Sequence, residues 1–83
     1  MNLERLKAAH KKTIGTKQTV KAIAKGRARV VYVARDAEEH VIRGVIEAAR
    51  EKGLEIQEVE SMVALGKACG IEVGAAAAAI LEG

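Results

Sequence analysis

Apolar residues recur along this chain in two alternating rhythms. Leu3, Leu6 and Ala9 fall at helical spacing, so the first ten residues predict a short amphipathic helix with His10 partly packed beside its stripe. Thr13, Ile14 and Gly15 read as a short extended piece. A second helix is expected from Thr16, a good N-cap residue. Val20, Ile23 and Ala24 form its apolar stripe, and Gly26 after Lys25 stops it. Ala28 to Ala34 (A-R-V-V-Y-V-A) is β-branched and apolar on both faces, the pattern of a strand covered on both sides. Asp36-Ala37-Glu38-Glu39 resembles a capping box with Asp in place of Ser or Thr. It opens a long helix whose inner face carries Val41, Ile42, Val45, Ile46, Ala48 and Ala49, and Lys52-Gly53 closes it. Leu54 to Val59 predicts another strand, and Ser61 caps a helix that runs to about Cys69 and ends at Gly70.

The last segment, Gly74 to Leu81, supports two readings. Alanine is the best helix former, so propensity favours a helix. A buried central strand between two helical layers also wants small apolar residues, and the alternating order of elements calls for one more strand. The strand is the expectation. The resulting order, α-β-α-β-α-β-α-β, predicts a three-layer α/β/α sandwich with about four strands. Residues 1–83 are expected to form a single domain, without linker or internal repeat.

Composition narrows the function classes. At 83 residues the chain buries only ~60–65% of the surface its unfolded form exposes, room for one modest core. With 49% apolar and 30% charged residues it is a folded domain rather than a disordered tail. Phe, Trp and Pro are absent and Tyr32 is the single aromatic residue, which argues against an aromatic stacking platform for single strands. Cys69 stands alone, so an internal disulfide and Cys-rich zinc motifs are excluded; neither metal nor cofactor is expected. Glu4 and Arg5 interrupt the N-terminus where a signal peptide needs an apolar run. The longest apolar run, Val73 to Leu81, is less than half of the ~20 residues a membrane-spanning helix needs. A cytoplasmic location without a membrane partner is the expectation, and a lone thiol fits a reducing compartment.

The net charge of +3 hides a stronger asymmetry. Residues 1–29 hold nine basic residues against Glu4 alone, net +8, whereas residues 30–83 hold five basic and ten acidic residues, net −5. A basic first third points to a polyanion partner, the alternative being a solvated basic surface.

Two segments carry candidate chemistry. In Gly15-Thr16-Lys17-Gln18-Thr19-Val20-Lys21, a glycine and a hydroxyl residue stand where a strand turns into a helix. A helix N-terminus offers free N–H groups and partial positive charge to phosphate. Lys17, Lys21 and Lys25 are spaced i, i+4, i+8 and line one face. Gln18 projects from the first turn with both a donor and an acceptor, as base-edge reading requires. An ordinary capped helix with a solvated lysine face is the bland alternative. The segment is not a Walker loop, because the second glycine and the Gly-Lys-Ser/Thr are missing. In Leu65-Gly66-Lys67-Ala68-Cys69-Gly70-Ile71-Glu72-Val73-Gly74, Ile71 and Val73 occupy a glycine-bounded loop, where they either pack on a base or partner or begin the core. Gly66 within a helix costs ~1 kcal/mol relative to alanine, which is consistent with another backbone passing close by.

Gly15–Ile23, the V-V-Y-V-A strand and Leu65–Gly74 together resemble the kink-turn-binding ribosomal protein family of archaeal and eukaryotic large subunits, most closely its small bacterial branch. The resemblance spans essentially the whole chain. It implies a four-stranded mixed sheet in the α/β/α sandwich. It also implies that the helix after Gly15 enters the opened major groove of a kink-turn RNA and reads tandem sheared G·A pairs. By position, Gly15 and Thr16 bring backbone close to RNA, Lys17 and Gln18 match the base-reading pair, and Lys21 matches a lysine that contacts guanine or phosphate. Gly70, Ile71, Glu72, Val73 and Gly74 match the loop that packs on the nucleotides of the bulge, with Glu60 and Ser61 near the same surface. The archaeal and spliceosomal branches have Asn-Glu where this chain has Lys17-Gln18, while a eukaryotic ribosomal branch has Lys followed by Ser. The implied partner is structured RNA containing a kink-turn, ribosomal or riboswitch-like, bound by a monomer that is cytoplasmic and ribosome-associated. A protein–protein adaptor of the same fold is the alternative. No enzyme is expected, because the chain shows no Ser-His-Asp, Cys-His or paired-carboxylate arrangement.

Overall fold

The computed structural model describes residues 3–82. The elements follow in the order α1 (Glu4–Ala8), β1 (Lys12–Ile14), α2 (Thr16–Ala24), β2 (Ala28–Ala34), α3 (Glu39–Glu51), β3 (Glu55–Val59), α4 (Met62–Ala68) and β4 (Ala77–Leu81). The sheet order is β1-β4-β2-β3. Strand β4 runs antiparallel to both neighbours, and β2 and β3 are parallel, so the sheet is mixed.

The alternation of side chains along β2 explains the three layers. Val30, Tyr32 and Ala34 project to one face, where Leu6 of α1 and Leu65 and Ala68 of α4 cover them with Ala78, Val59 and Cys69. Val31 and Val33 project to the other face, against Ala22 and Ile23 of α2 and Ile42, Val45 and Ala49 of α3. A strand covered on both faces must be apolar at successive positions, as β2 is. The alanine run is a strand for the same reason. Ala78 pairs with Ile14 on one side and Tyr32 on the other, and Ala79 pairs with Thr13 and Val31. Two hydrogen-bonded ladders and complete burial of Ala77, Ala78 and Ala79 outweigh the ~1 kcal/mol or less per residue at stake in intrinsic preference.

Local details differ from the expectations. Thr16 is the first helical residue and not the cap; Gly15 occupies the N-cap position, and no side chain caps α2. The buried face of α2 is Thr19, Ala22 and Ile23, while Ala24 points to solvent. Helix α3 begins at Glu39 after Glu38, without a side-chain cap. Asp36 instead accepts a 2.8 Å hydrogen bond from the N–H of Met62, the first residue of α4. That bond wins because a carboxylate gains more from the open N–H groups of a helix it can reach than from a turn whose geometry it misses. Ser61 caps α4 as expected, its Oγ accepting from Ala64 N–H at 3.0 Å. Along α3, Ile42, Val45 and Ala49 face inward at i, i+3, i+7, which rotates Val41 outward. His10 is exposed rather than packed, because α1 ends at Ala8.

Candidate nucleic-acid interface

Strand direction brings the candidate residues together. Because β4 is antiparallel to β1 and β2, and β3 is parallel to β2, the sheet end where β1, β2 and β3 finish is where β4 starts. The turn into α2, the β2–α3 connection, the β3–α4 turn and the α4–β4 loop therefore all open at that end. Backbone hydrogen bonds tie them: Gly15 N–H to Ala77 O (2.8 Å), Ala34 N–H to Ala76 O (2.9 Å), Arg35 N–H to Val59 O (2.8 Å) and Ala75 N–H to Met62 O (3.0 Å).

Gly15 makes the sharp entry into α2. Its φ of 99° and ψ of 155° lie in a region that only glycine enters without strain. It extends the β1–β4 ladder through its N–H and starts the helix through its carbonyl, which accepts from Thr19 N–H at 3.1 Å. The hydroxyls of Thr13 and buried Thr19 pair at 2.9 Å and pin strand to helix. With no side-chain cap, the first N–H groups of α2 are left for an outside acceptor, an arrangement suited to phosphate.

Lys17, Gln18 and Lys21 are exposed and Thr16 is half-buried. Lys21 stands on a crest between two grooves. On one side lie Thr13, Gln18, Lys25 and Arg27. On the other, between α2 and α3, lie Thr16, Lys17, Val20, His40, Val41 and Gly44. No carboxylate lines either groove.

The α4–β4 loop is anchored and partly turned outward. Gly70 (φ 83°) ends α4 with a paired set of bonds, Gly70 N–H to Lys67 O and Ile71 N–H to Gly66 O, both 3.0 Å. Ile71 packs against the core, whereas Val73 is 71% exposed, with Glu72 and Gly74 exposed beside it. The two readings of this loop thus divide between its two apolar residues. Gly66 is the site of close approach: an added Cβ would overlap the Val73 carbonyl oxygen and lie 3.2 Å from Gly74 Cα. Glu60 is exposed at the start of α4; Ser61 is half-buried and its oxygen is engaged in the cap.

The twelve candidate residues thus lie on the connections at this end of the sheet and on the helices α2 and α4 that lead into or out of them. The structure adds Arg35 and Asp36, both exposed, which the sequence pattern assigned to no site. The Asp36–Met62 bond joins positions 26 apart and leaves no local signature. Burial raises the pKa of the Cys69 thiol, with the charge of Lys12 opposing. Among the described residues no cluster of His, Cys, Asp and Glu could hold a metal ion, and no helix is long and apolar enough to cross a membrane.

These features define a small α/β/α protein with an exposed basic face, and residues 2–83 match the model of the ribosomal protein L7Ae/L30e/S12e/Gadd45 family. The chain belongs to that family, the one its two motifs resemble. It is similar to an RNA-binding protein of Geobacillus sp. strain WCH70, 49% identical over 82 residues, covering 99% of this chain and 100% of that one. RNA-binding protein YbxF of Geobacillus stearothermophilus is 49% identical with the same coverage. Large ribosomal subunit protein eL8 of Halobacterium salinarum is 47% identical over 68 residues, 81% of this chain and 57% of that one. The solved structure of the Giardia lamblia 15.5kD RNA binding protein shares the fold, with a TM-score of 0.86 and 24% identity over 98% of this chain and 68% of that one. The relatives so named are RNA-binding and ribosomal proteins, not enzymes.

Proposed function

We propose that the chain binds structured RNA and stabilises kink-turn motifs with the sheet end described above. The observation that carries this reading is the uncapped N-terminus of α2, aimed by Gly15 and flanked by Lys17, Gln18 and Lys21. The RNA-binding names of relatives that align over the whole chain support it.

In this reading the first turn of α2 enters the opened major groove of the kink. Gln18 supplies a donor and an acceptor to a base edge; Lys17 and Lys21 supply donors and positive charge. Gly15 and Thr16 let backbone approach the RNA. Gly70 to Gly74 cover the bulged nucleotides, with Val73 as the apolar contact and Ile71 as its anchor in the core. Glu60 and Ser61 border the same surface. Because a kink-turn interconverts between extended and bent forms, a protein that prefers the bent form shifts the population by its differential affinity. Driving the ratio from 1:99 to 99:1 takes ~10⁴-fold preference. The protein acts as a monomer of one domain, in the cytoplasm and in association with ribosomal or other structured RNA.

The test is a titration of a kink-turn RNA labelled at the ends of its two stems, in a buffer where the free RNA is mostly extended. Energy transfer is expected to rise to saturation as protein is added. Binding without any rise would contradict stabilisation of the bent form, and no binding at all would bring the adaptor reading forward.

A further inference from the structure

Arg29 breaks the pattern of β2. Every other residue of that strand is buried, whereas Arg29 is exposed. The strand carries one extra residue there. Ala28 pairs with Leu81 and Val30 with Ile80, so Arg29 is a bulge in the β2–β4 ladder. Ala28 and Val30, two positions apart, consequently pack on opposite faces of the sheet. Strict alternation would put Arg29 with Val31 and Val33 under α2 and α3, where a guanidinium without a partner is costly to bury. With the bulge, Arg29 instead lines a cleft on the α1 side, together with Arg5, Ala8 and Ala9 over a floor of Val30 and Ile80. The cleft lies where β2 starts and β4 finishes, on the sheet face opposite α2 and at the other end from the turn at Gly15. No carboxylate lines it. No hydrogen bond or ion pair among the described residues engages the Arg29 guanidinium. Arg5 bonds the two carboxylate oxygens of Glu55 through Nη1 alone, at 3.2 and 3.4 Å. That pairing holds Arg5 in place and leaves its Nε and Nη2 to donate elsewhere. Exposed Lys11 stands beside the end of β4, its carbonyl accepting from Leu81 N–H at 3.0 Å.

We propose that this cleft is a second RNA contact, which takes one unpaired nucleotide from a segment other than the one at α2. The guanidiniums of Arg29 and Arg5 hold its phosphate with forked donors, and Ala8, Ala9, Val30 and Ile80 carry the sugar or base. The cleft volume of about 290 Å³ falls at the low end of the ~300–1,000 Å³ of small-ligand sites, room for a single nucleotide. With no aromatic ring and no side-chain amide in its lining, it reads no base, so its contacts carry affinity rather than sequence. Positive charge continues past the cleft at Lys11, which suits the next phosphate of a chain better than a free nucleotide. A protein occupied at both ends of its sheet joins two RNA segments. What occupies the cleft is independent of what occupies the start of α2.

The test follows the amide NMR shifts of the full chain during titration with a short single-stranded RNA, with uridine monophosphate and with an oligoglutamate peptide. The RNA is expected to move the amides of Ala8, Ala9, Arg29, Val30 and Ile80 saturably, apart from any movement at Gly15 to Lys21. Arg29→Ala is expected to weaken binding at that set about tenfold and to flatten its salt slope by ~0.7, the share of one phosphate on a single strand. Arg29→Lys keeps the charge without the fork and is expected to recover only part of the loss. Arg50→Ala, on the outward face of α3, is the charge-matched control and is expected to bind like wild type. RNA-induced shifts confined to Gly15–Lys21 and the α4–β4 loop overturn the proposal, as does an Arg29→Ala variant that binds like wild type. Equal affinity for uridine monophosphate makes the cleft a free-nucleotide site, and equal affinity for oligoglutamate makes it an acidic-peptide site; either result overturns the RNA assignment. A wild-type protein without preference for a kink-turn strikes the reading of α2 alone and leaves the shifts at Arg29 to decide the cleft.

Discussion

Gly66→Ala and Gly44→Ala add the same methyl group inside two helices and are expected to move stability in opposite directions. At Gly44, in the interior of α3, an added Cβ meets nothing within 4 Å. The substitution therefore collects the intrinsic helix gain of ~1 kcal/mol over glycine, and Tm rises by ~4–8 °C for a domain of this size. At Gly66 the same Cβ overlaps the Val73 carbonyl oxygen, with Val73 C at 3.1 Å and Gly74 Cα at 3.2 Å. These are backbone atoms, so no rotamer change relieves the overlap and the loop itself must move. Overpacking of this kind costs ~1–3 kcal/mol. Displacing the loop also strains the bonds from Ile71 N–H to Gly66 O and from Ala75 N–H to Met62 O, each contributing ~1 kcal/mol. Against a helix gain of ~1 kcal/mol, the net loss is ~1–3 kcal/mol and Tm falls by ~4 °C or more. Thermal unfolding followed by circular dichroism reads both variants. A Gly66→Ala variant melting at or above wild type would refute the close approach of the loop to α4.

The remaining predictions address the site and its surroundings. Gln18→Ala is expected to reduce discrimination between a kink-turn and a mispaired RNA by ~1–3 kcal/mol, whereas Lys21→Ala weakens both and flattens the salt slope by ~1; titrations at several salt concentrations separate the two. Gly15→Ala forces a side chain onto a φ of 99°, and the expected cost of ~1–3 kcal/mol is read as a lower denaturant midpoint. The buried Cys69 thiol, its pKa raised by burial, is expected to react with an alkylating reagent far more slowly in the folded protein than in denaturant; equal rates would contradict its position at the end of α4. The Glu55 carboxyl is held below the usual carboxylate range, first by the hydrogen bond from Gln57 and then by Arg5. A depressed folded pKa adds stability above the unfolded value and loses it as pH falls through the folded one. Glu55→Gln is therefore expected to flatten the melting-temperature change between neutral pH and about pH 3.

What the sequence made legible were features whose cause is local. Strand β2 declares itself because both its faces are buried, and Ser61 and Gly70 mark the ends of α4 through residue chemistry alone. The penalty at Gly66 pointed to a close neighbour, and the neighbour is Val73. Strand β4 was legible from the order of elements but not from its own residues, since alanine's preference had to be overruled by two flanking ladders. Asp36 was assigned to the wrong helix because its partner, Met62, is distant in sequence and adjacent only through the parallel pairing of β2 and β3. Gly15 took the cap position from Thr16 because the β1–β4 ladder continues through Gly15 N–H, a tertiary constraint that no local pattern records. The family resemblance supplied the candidate site residues. The structure adds that they lie on the connections at one end of a mixed sheet and on the helices α2 and α4 joined to those connections, and that Ile71 and Val73 split between core and surface.

The most direct test of the central claim is a gel-shift titration at two salt concentrations, with a kink-turn RNA and the same RNA after its G·A pairs are replaced by Watson–Crick pairs. The account predicts at least a tenfold preference for the intact kink-turn, ~1.4 kcal/mol, retained at the higher salt. Equal and strongly salt-dependent binding to both RNAs would contradict it, reducing the face around α2 to a general polyanion surface.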